Sequence, residues 1–323
     1  TLVNAEGLTE RMGDILLTCS GGTAGQTVTG NLTLFQSVSI TNRTSEDGRT
    51  DVALSVDNGS TPAPPPVFAT AASASQVAFN GLSFNLSAAG GVTLRITNLR
   101  GAAAQQPAGD VQLVTVSIAF NGPMAINNTT QIVGQITRGL LSSSSSTTIY
   151  CVGSPAAASP DVSAFFAAGT NFHSTRFTEG WAGAFQKRTA GTDSGTRIMA
   201  RYSGLPPGAR VFVPDYIAGS NATQPTAGGA LGYAPSGGKY TGGSGALLLA
   251  LVRLTDANGA GGYLTGPAPP PGVVATLDSA SEVPLPGGSG VVVYEVVESN
   301  SAQRESAQFP AFLVYTPPAG GGS

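Results

Sequence analysis

The chain has 323 residues, of which 10% are charged and 41% hydrophobic, and its net charge is -3. That apolar content excludes a disordered chain, and the absence of any basic cluster excludes the electrostatic footprint of a nucleic-acid binder. The polar surface must be built from Ser, Thr, Asn, Gln and backbone, which leaves little charge repulsion to hold copies apart.

In chain order, residues 1–11 (TLVNAEGLTER) precede the first firm strand pattern with no evident turn joining them to it, and read as an N-terminal arm. Residues 12–22 (MGDILLTCSGG) read as a short strand stopped by a glycine turn. Residues 31–40 (NLTLFQSVSI) alternate apolar and polar side chains, the period of a half-buried strand. Residues 51–56 (DVALSV) run into the turn signal Asp57-Asn58-Gly59. Residues 77–86 (VAFNGLSFNL) read as two strand arms around Asn80-Gly81, a hairpin-turn dipeptide. Residues 92–96 and 111–120 complete the first half.

The second half repeats the style, with strand patterns at 147–151, 196–202, 209–213, 246–254, 273–277, 291–297 and 309–315. Residues 204–208 (GLPPG) form a proline-set turn. Residues 161–168 (DVSAFFAA) are the one helix candidate. Short strands at short spacing, punctuated by 44 glycines and 22 prolines, predict an all-β chain of two antiparallel β-sandwich domains, Greek-key or jelly-roll in style. The five-serine run at 142–146 is the expected boundary, giving domains 1–141 and 142–323.

The longest apolar run, ALLLALV at 246–252, is far below the ~20 residues of a membrane-spanning helix. A chain opening on Thr1 is expected to be a secreted form from which a leader was removed. Cys19 and Cys151 each follow a strand pattern and precede a glycine-containing turn. In a chain of secreted style they read as a disulfide, the alternative being two buried thiols acting as small hydrophobes.

Motifs for chemistry are missing. The single histidine, His173, has no G-x-S-x-G nucleophile elbow to serve, and it sits near Phe172 and Phe177 as a half-buried structural residue would. Residues 232–239 (GYAPSGGK) miss the P-loop spacing. Glu295 and Glu298 are three apart on a strand and so point to opposite faces. Two cysteines and one histidine do not make a zinc site. No cofactor, metal or catalytic residue is therefore expected. Seven N-x-S/T sequons occur, at Asn31, Asn42, Asn58, Asn85, Asn127, Asn128 and Asn221, and mark candidate sugar attachment on an exported chain.

Several stretches carry a resemblance: AEGLTE at 5–10 followed by GDILLTCSGG at 13–22, then ITNR at 40–43, RFTEG at 176–180, GTR at 195–197 with the GLPPG turn, and VYEV at 293–296. They resemble a family of uncharacterised secreted β-rich proteins of acidobacterial-type soil and hot-spring bacteria. The resemblance implies export and β structure, and it transfers no catalytic residue.

These features together predict a structural subunit of an extracellular, cell-surface filament or matrix fibre, not an enzyme, whose partners are copies of itself, with glycans as a second partner class. The arm, Thr1, Leu2, Val3, Asn4, Ala5, Glu6, Gly7 and Leu8, is the expected assembly element. It would add as a strand to a neighbour's sheet edge, a head-to-tail contact that propagates. The alternative is that the arm pairs within its own domain. A second functional reading is a secreted adhesin or carbohydrate-binding protein, with Trp181, beside Phe177 and Phe185, as either a sugar platform or part of a core cluster.

Overall fold

The computed structural model describes residues 1–106, 112–146, 172–188, 195–219, 239–241, 247–264, 274–276 and 280–315. They are nearly all β. The predicted helix at 161–168, the predicted strand at 147–151, Cys151 and Asn221 lie outside the described residues. The chain divides into two compact units, Thr1–Gly139 and Leu140–Ser323.

Unit 1 holds β1 (Leu2–Asn4), β2 (Glu10–Arg11), β3 (Ile15–Cys19), β4 (Thr27–Gln36), β5 (Arg49–Asp57), β6 (Val67–Ser73), β7 (Gln76–Asn85), β8 (Val92–Thr97), β9 (Arg100–Gly101), β10 (Gln112–Phe120) and β11 (Thr130–Thr137). Nine of them form one sheet in the order β1-β11-β10-β4-β7-β6-β5-β8-β3. All nine send apolar side chains into one core, from Val3 and Val133 at one end to Leu94 and Ile15 at the other, so the sheet curls back on itself. The segment between β2 and β3 ties the two ends together. Met12, buried, donates its N–H to the carbonyl of Leu99 at 2.8 Å, and Gly13 donates to Val133 on β11 at 2.7 Å.

The alternating patterns at 31–40, 51–56 and 92–96 fall on β4, β5 and β8, with Leu32, Leu34, Val52, Leu54, Val56, Val92, Leu94 and Ile96 inward, Phe35 outward, and β4 ending at Gln36. The turn at Asp57-Asn58-Gly59 forms as expected: Gly59 adopts φ 78° and donates to the Asp57 carboxylate at 3.2 Å. Asn80-Gly81 does not make a hairpin. β7 runs straight through it, with Gly30 opposite Leu82 and Leu32 opposite Phe79, so Asn80 and Gly81 together face Asn31. This is a β-bulge, and Gly81 at φ 63° supplies the left-handed residue that a bulge and a tight turn both use.

Unit 2 holds β12 (Leu140–Ser146), β13 (Phe172–Glu179), β14 (Arg197–Tyr202), β15 (Ala209–Pro214), β16 (Tyr216–Ala218), β17 (Lys239–Thr241), β18 (Leu248–Thr255), β19 (Gly261–Leu264), β20 (Val274–Thr276), β21 (Ala280–Val283), β22 (Gly290–Glu298) and β23 (Ser306–Tyr315). One sheet has the order β12-β13-β23-β15-β21; the other is β14-β22-β18-β16, with β19 beside β18. Their inner faces share one core. The Phe309 ring of the first sheet meets the Tyr294 ring of the second with centroids 5.1 Å apart. The Tyr294 hydroxyl donates to the carbonyl of Pro214 at 2.6 Å.

The serine run is not a linker. Residues 140–146 pair in register with 173–179 as edge strand β12. Small polar side chains suit such a position, because the ladder satisfies one side of the backbone and water the other.

Candidate functional site

The N-terminal arm is seated in its own unit. β1 runs parallel to β11, with Leu2 opposite Gln135, Val3 opposite Ile136 and Asn4 opposite Thr137. Val3 is 0% exposed and belongs to the core, whereas Leu2 is 43% exposed on the outer face. Gln135 donates its N–H to the Thr1 carbonyl at 2.7 Å, and Ala5 donates to the Thr137 carbonyl at 2.8 Å. Glu6 accepts from the Gly139 N–H at 3.1 Å.

A turn does join the arm to the body: Gly7 donates to the Asn4 carbonyl at 2.9 Å. Asn4 is held again from below, its N–H donating to the Glu10 carboxylate at 3.1 Å. Burial pushes the Glu10 carboxyl above its ordinary range, while the bonds from Asn4 pull it back. Leu8, in the connecting stretch, is exposed. Of the two expectations for the arm, pairing within its own unit is the arrangement found here, because Val3 has its hole in its own core.

Cys19 ends β3 half-buried and is a free cysteine among the described residues, with its thiol raised by burial. Its expected partner Cys151 lies outside them.

The sequons fall into distinct environments. Asn42 is buried and fully used: Nδ2 donates to Asp51 Oδ1 and to the Asn98 carbonyl, both at 2.7 Å, and Oδ1 accepts from the Arg100 N–H at 2.8 Å. In the folded chain both Nδ2 hydrogens of Asn42 are engaged. Asn58 is half-buried, with Nδ2 donating to the Asn85 carbonyl at 2.9 Å. Asn85, Asn127 and Asn128 are exposed; Asn31 is half-buried on a strand.

The candidate chemistry is locked into structure. His173 is half-buried on β13. Trp181 packs against the unit 2 core beside buried Phe177 and Phe185, so the core alternative describes it. Glu295 is buried between two guanidiniums, with Arg188 Nε at 2.6 Å and Arg197 Nε at 2.9 Å, while Glu298 meets Lys187 at 3.3 Å.

Glu179 and Glu305 form a sealed carboxyl pair. Both are wholly buried, and the Glu305 N–H donates to Glu179 Oε2 at 2.8 Å. Burial, reinforced by the charge of Glu179, pushes the Glu305 carboxyl up to about 7. Neither carboxyl is open to a substrate. No group of three or more metal-ligating side chains gathers among the described residues. Among the same residues, no helix is long and apolar enough to cross a membrane.

An open concavity among the described residues lies on the outer face of β10, β4, β7 and β6, with a volume of about 510 Å³. The sheet register brings Asn31, Asn80 and Asn121 together at one end and leaves Gln76 at the other. Sequence reading did not assemble this site. Its residues lie on four strands and, for Asn121, just past the end of β10, and only the pairing of those strands makes them neighbours.

No protein-family model matches the chain, and no curated protein matches its sequence.

Proposed function

We propose that the protein is a structural subunit of an extracellular filament or matrix fibre, assembled by exchange of β1 between copies. The observation that supports this is the seat of β1. It is three residues long, lies at a sheet edge, and buries one side chain completely in the core. Burying a valine contributes about 1.5–3 kcal/mol, so the seat is worth filling. A neighbouring copy's β1 would make the same contacts as the chain's own. Exchange therefore costs little beyond association and rearrangement of the turn at Asn4–Gly7, which is the economy of swapped assemblies. Each copy then fills one seat and offers one arm, a head-to-tail arrangement that extends without closing. The low surface charge opposes such stacking only weakly.

The test uses two single-cysteine chains in a Cys19→Ser, Cys151→Ser background, one Leu2→Cys and one Gln135→Cys. Neither can form the pair within itself. Mixed under assembling conditions and oxidised, they are expected to cross-link, and electron microscopy of the unaltered chain is expected to show filaments that a chain lacking residues 1–6 does not form. Monodisperse monomers at high concentration, with no cross-link, would overturn the reading.

A further inference from the structure

We propose that the concave outer face of the unit 1 sheet is a binding site for a segment of uncharged polysaccharide, held by Gln76, Asn80 and Asn121. It involves neither β1 nor its seat, and so stands apart from the filament reading.

The shape follows from the register. Ala119 lies opposite Thr33, Thr33 opposite Ala78, and Ala78 opposite Thr70, so one row of small side chains crosses four strands. Such a row makes a trough in a sheet face, and the larger residues of the neighbouring rows make its walls. Asn31 and Asn121 rise on one side, with Asn80 on the bulge beside them. On the other side Ser117, Phe35, Gln76 and Ser73 form the next row. The volume of about 510 Å³ falls in the range of small-ligand sites.

The chemistry of the lining selects the ligand. No Asp, Glu, Lys or Arg lines the trough, so a charged ligand would meet no counter-charge. The backbone groups beneath it are spent in the ladders of four paired strands, so a peptide cannot join as an added strand. Recognition is left to side-chain amides. These are held by the fold at one end and unpartnered among the described residues at the other.

Asn31 Oδ1 accepts from the Gly81 N–H at 2.7 Å, and Asn121 Oδ1 accepts from the Asn31 N–H at 2.6 Å, which presents both Nδ2 groups as donors. Asn80 Nδ2 donates to the Thr70 hydroxyl at 3.1 Å, which presents Oδ1 as an acceptor. Amides fixed in this way lose little freedom when a ligand arrives. Their alternating donors and acceptors match hydroxyl groups, each of which gives and takes a hydrogen bond. Phe35, 44% exposed on the same face beside Gln76, offers an apolar surface to the carbon face of a sugar ring.

The test is affinity electrophoresis of the full chain, made in a host without N-glycosylation so that Asn31 carries no sugar. The gels contain dextran, laminarin, xylan or galactomannan, with alginate as the charged control. At least one neutral polymer is expected to retard the protein. The Gln76→Ala, Asn80→Ala double variant is expected to weaken that binding at least tenfold while lowering the thermal midpoint by no more than a few degrees. Among the described residues, the Gln76 side chain makes no hydrogen bond and Asn80 bonds only the Thr70 hydroxyl on the outer face. Ala119→Trp, which fills the floor, gives a second measure should the double variant fold poorly, and is also expected to abolish retardation. The proposal is overturned if no neutral polymer retards the protein, if alginate alone does so, or if retardation survives in the folded variants.

Discussion

Val3 stands opposite Ile136 in a parallel pairing, buried completely, at the edge of a sheet whose other edge is tied back by Gly13 to Val133. A three-residue strand thus completes the core of unit 1. Val3→Ala removes two methyl groups and is expected to cost about 1.5 kcal/mol, plus a term for the cavity it leaves. Val3→Asp places a carboxylate in the same hole and is expected to release the arm altogether. Denaturant unfolding of both variants measures the first effect, and protease cleavage within residues 5–9 the second.

The Glu179–Glu305 pair makes unit 2 sensitive to pH. The Glu305 carboxyl rises from its ordinary 4.5 to about 7, so the folded chain binds a proton that the unfolded chain has already released. Stability is therefore complete below pH 4.5 as far as this group is concerned, and falls as pH rises toward 7. The loss is on the order of 3 kcal/mol. The unfolding midpoint of unit 2 is expected to drop between pH 5 and 7.5. Glu305→Gln, neutral at every pH, is expected to flatten the curve. A drop of equal size in that variant would assign the effect to other groups.

Glu295 is caught between Arg188 and Arg197, and Arg197 Nη1 also donates to the carbonyl of Gly261 at 2.6 Å. Glu295→Ala removes the buried carboxylate, but Arg188 and Arg197 are 40% and 23% exposed to water, so the cost is expected to fall below the about 3–5 kcal/mol of breaking a wholly buried pair. Thermal unfolding is expected to shift by several degrees for unit 2 while unit 1 keeps its midpoint. A shift of only a degree or two would mean that water reaches the pair.

Two glycines near the end of β3 separate space from backbone conformation. Gly90 has φ 71°, and a Cβ there would come within 2.0 Å of the Gly22 carbonyl oxygen. Gly21 has φ 84°, but its Cβ would meet nothing within 4 Å. Gly21→Ala is expected to cost about 1–2 kcal/mol of conformational strain, and Gly90→Ala distinctly more. Equal losses would show that the turn relaxes around the added methyl.

Sugar occupancy should follow exposure. On expression in a glycosylating host, mass spectrometry is expected to find the peptide carrying Asn42 unmodified and sugar at Asn127 or Asn128. Occupancy at Asn42 would mean that attachment precedes folding of that part of unit 1.

β4, β5 and β8 of unit 1 were legible because each buries one face: NLTLFQ and DVALSV write inward and outward positions in alternation, whereas β6 and β11, which bury only one and two residues without alternation, were not. Unit 2 was less so. Leu247 to Val252 are buried without interruption, and Glu295 hides inside VVVYEVV, where no local pattern marks it as half of an ion-pair cluster. Asn80-Gly81 shows the limit of short signals, since the same left-handed glycine serves a bulge as well as a turn, and only the partner strand decides between them. The amide-lined trough was illegible for a related reason: Asn31, Asn80 and Asn121 are brought together by pairings that no neighbouring residues encode.

The bond from the Gly139 N–H to Glu6 spans 133 residues and joins the beginning of unit 1 to its end. Synthesis proceeds from the N-terminus, and contacts between distant residues are slow to form. β1 therefore waits, unpaired, until nearly the whole unit has been made. If β1 exchanges between copies as proposed, the open edge of another nascent copy competes during that interval with the chain's own β11. Under the exchange proposed above, the concentration of newly made chains would then bias whether the arm closes on its own body or on a neighbour's.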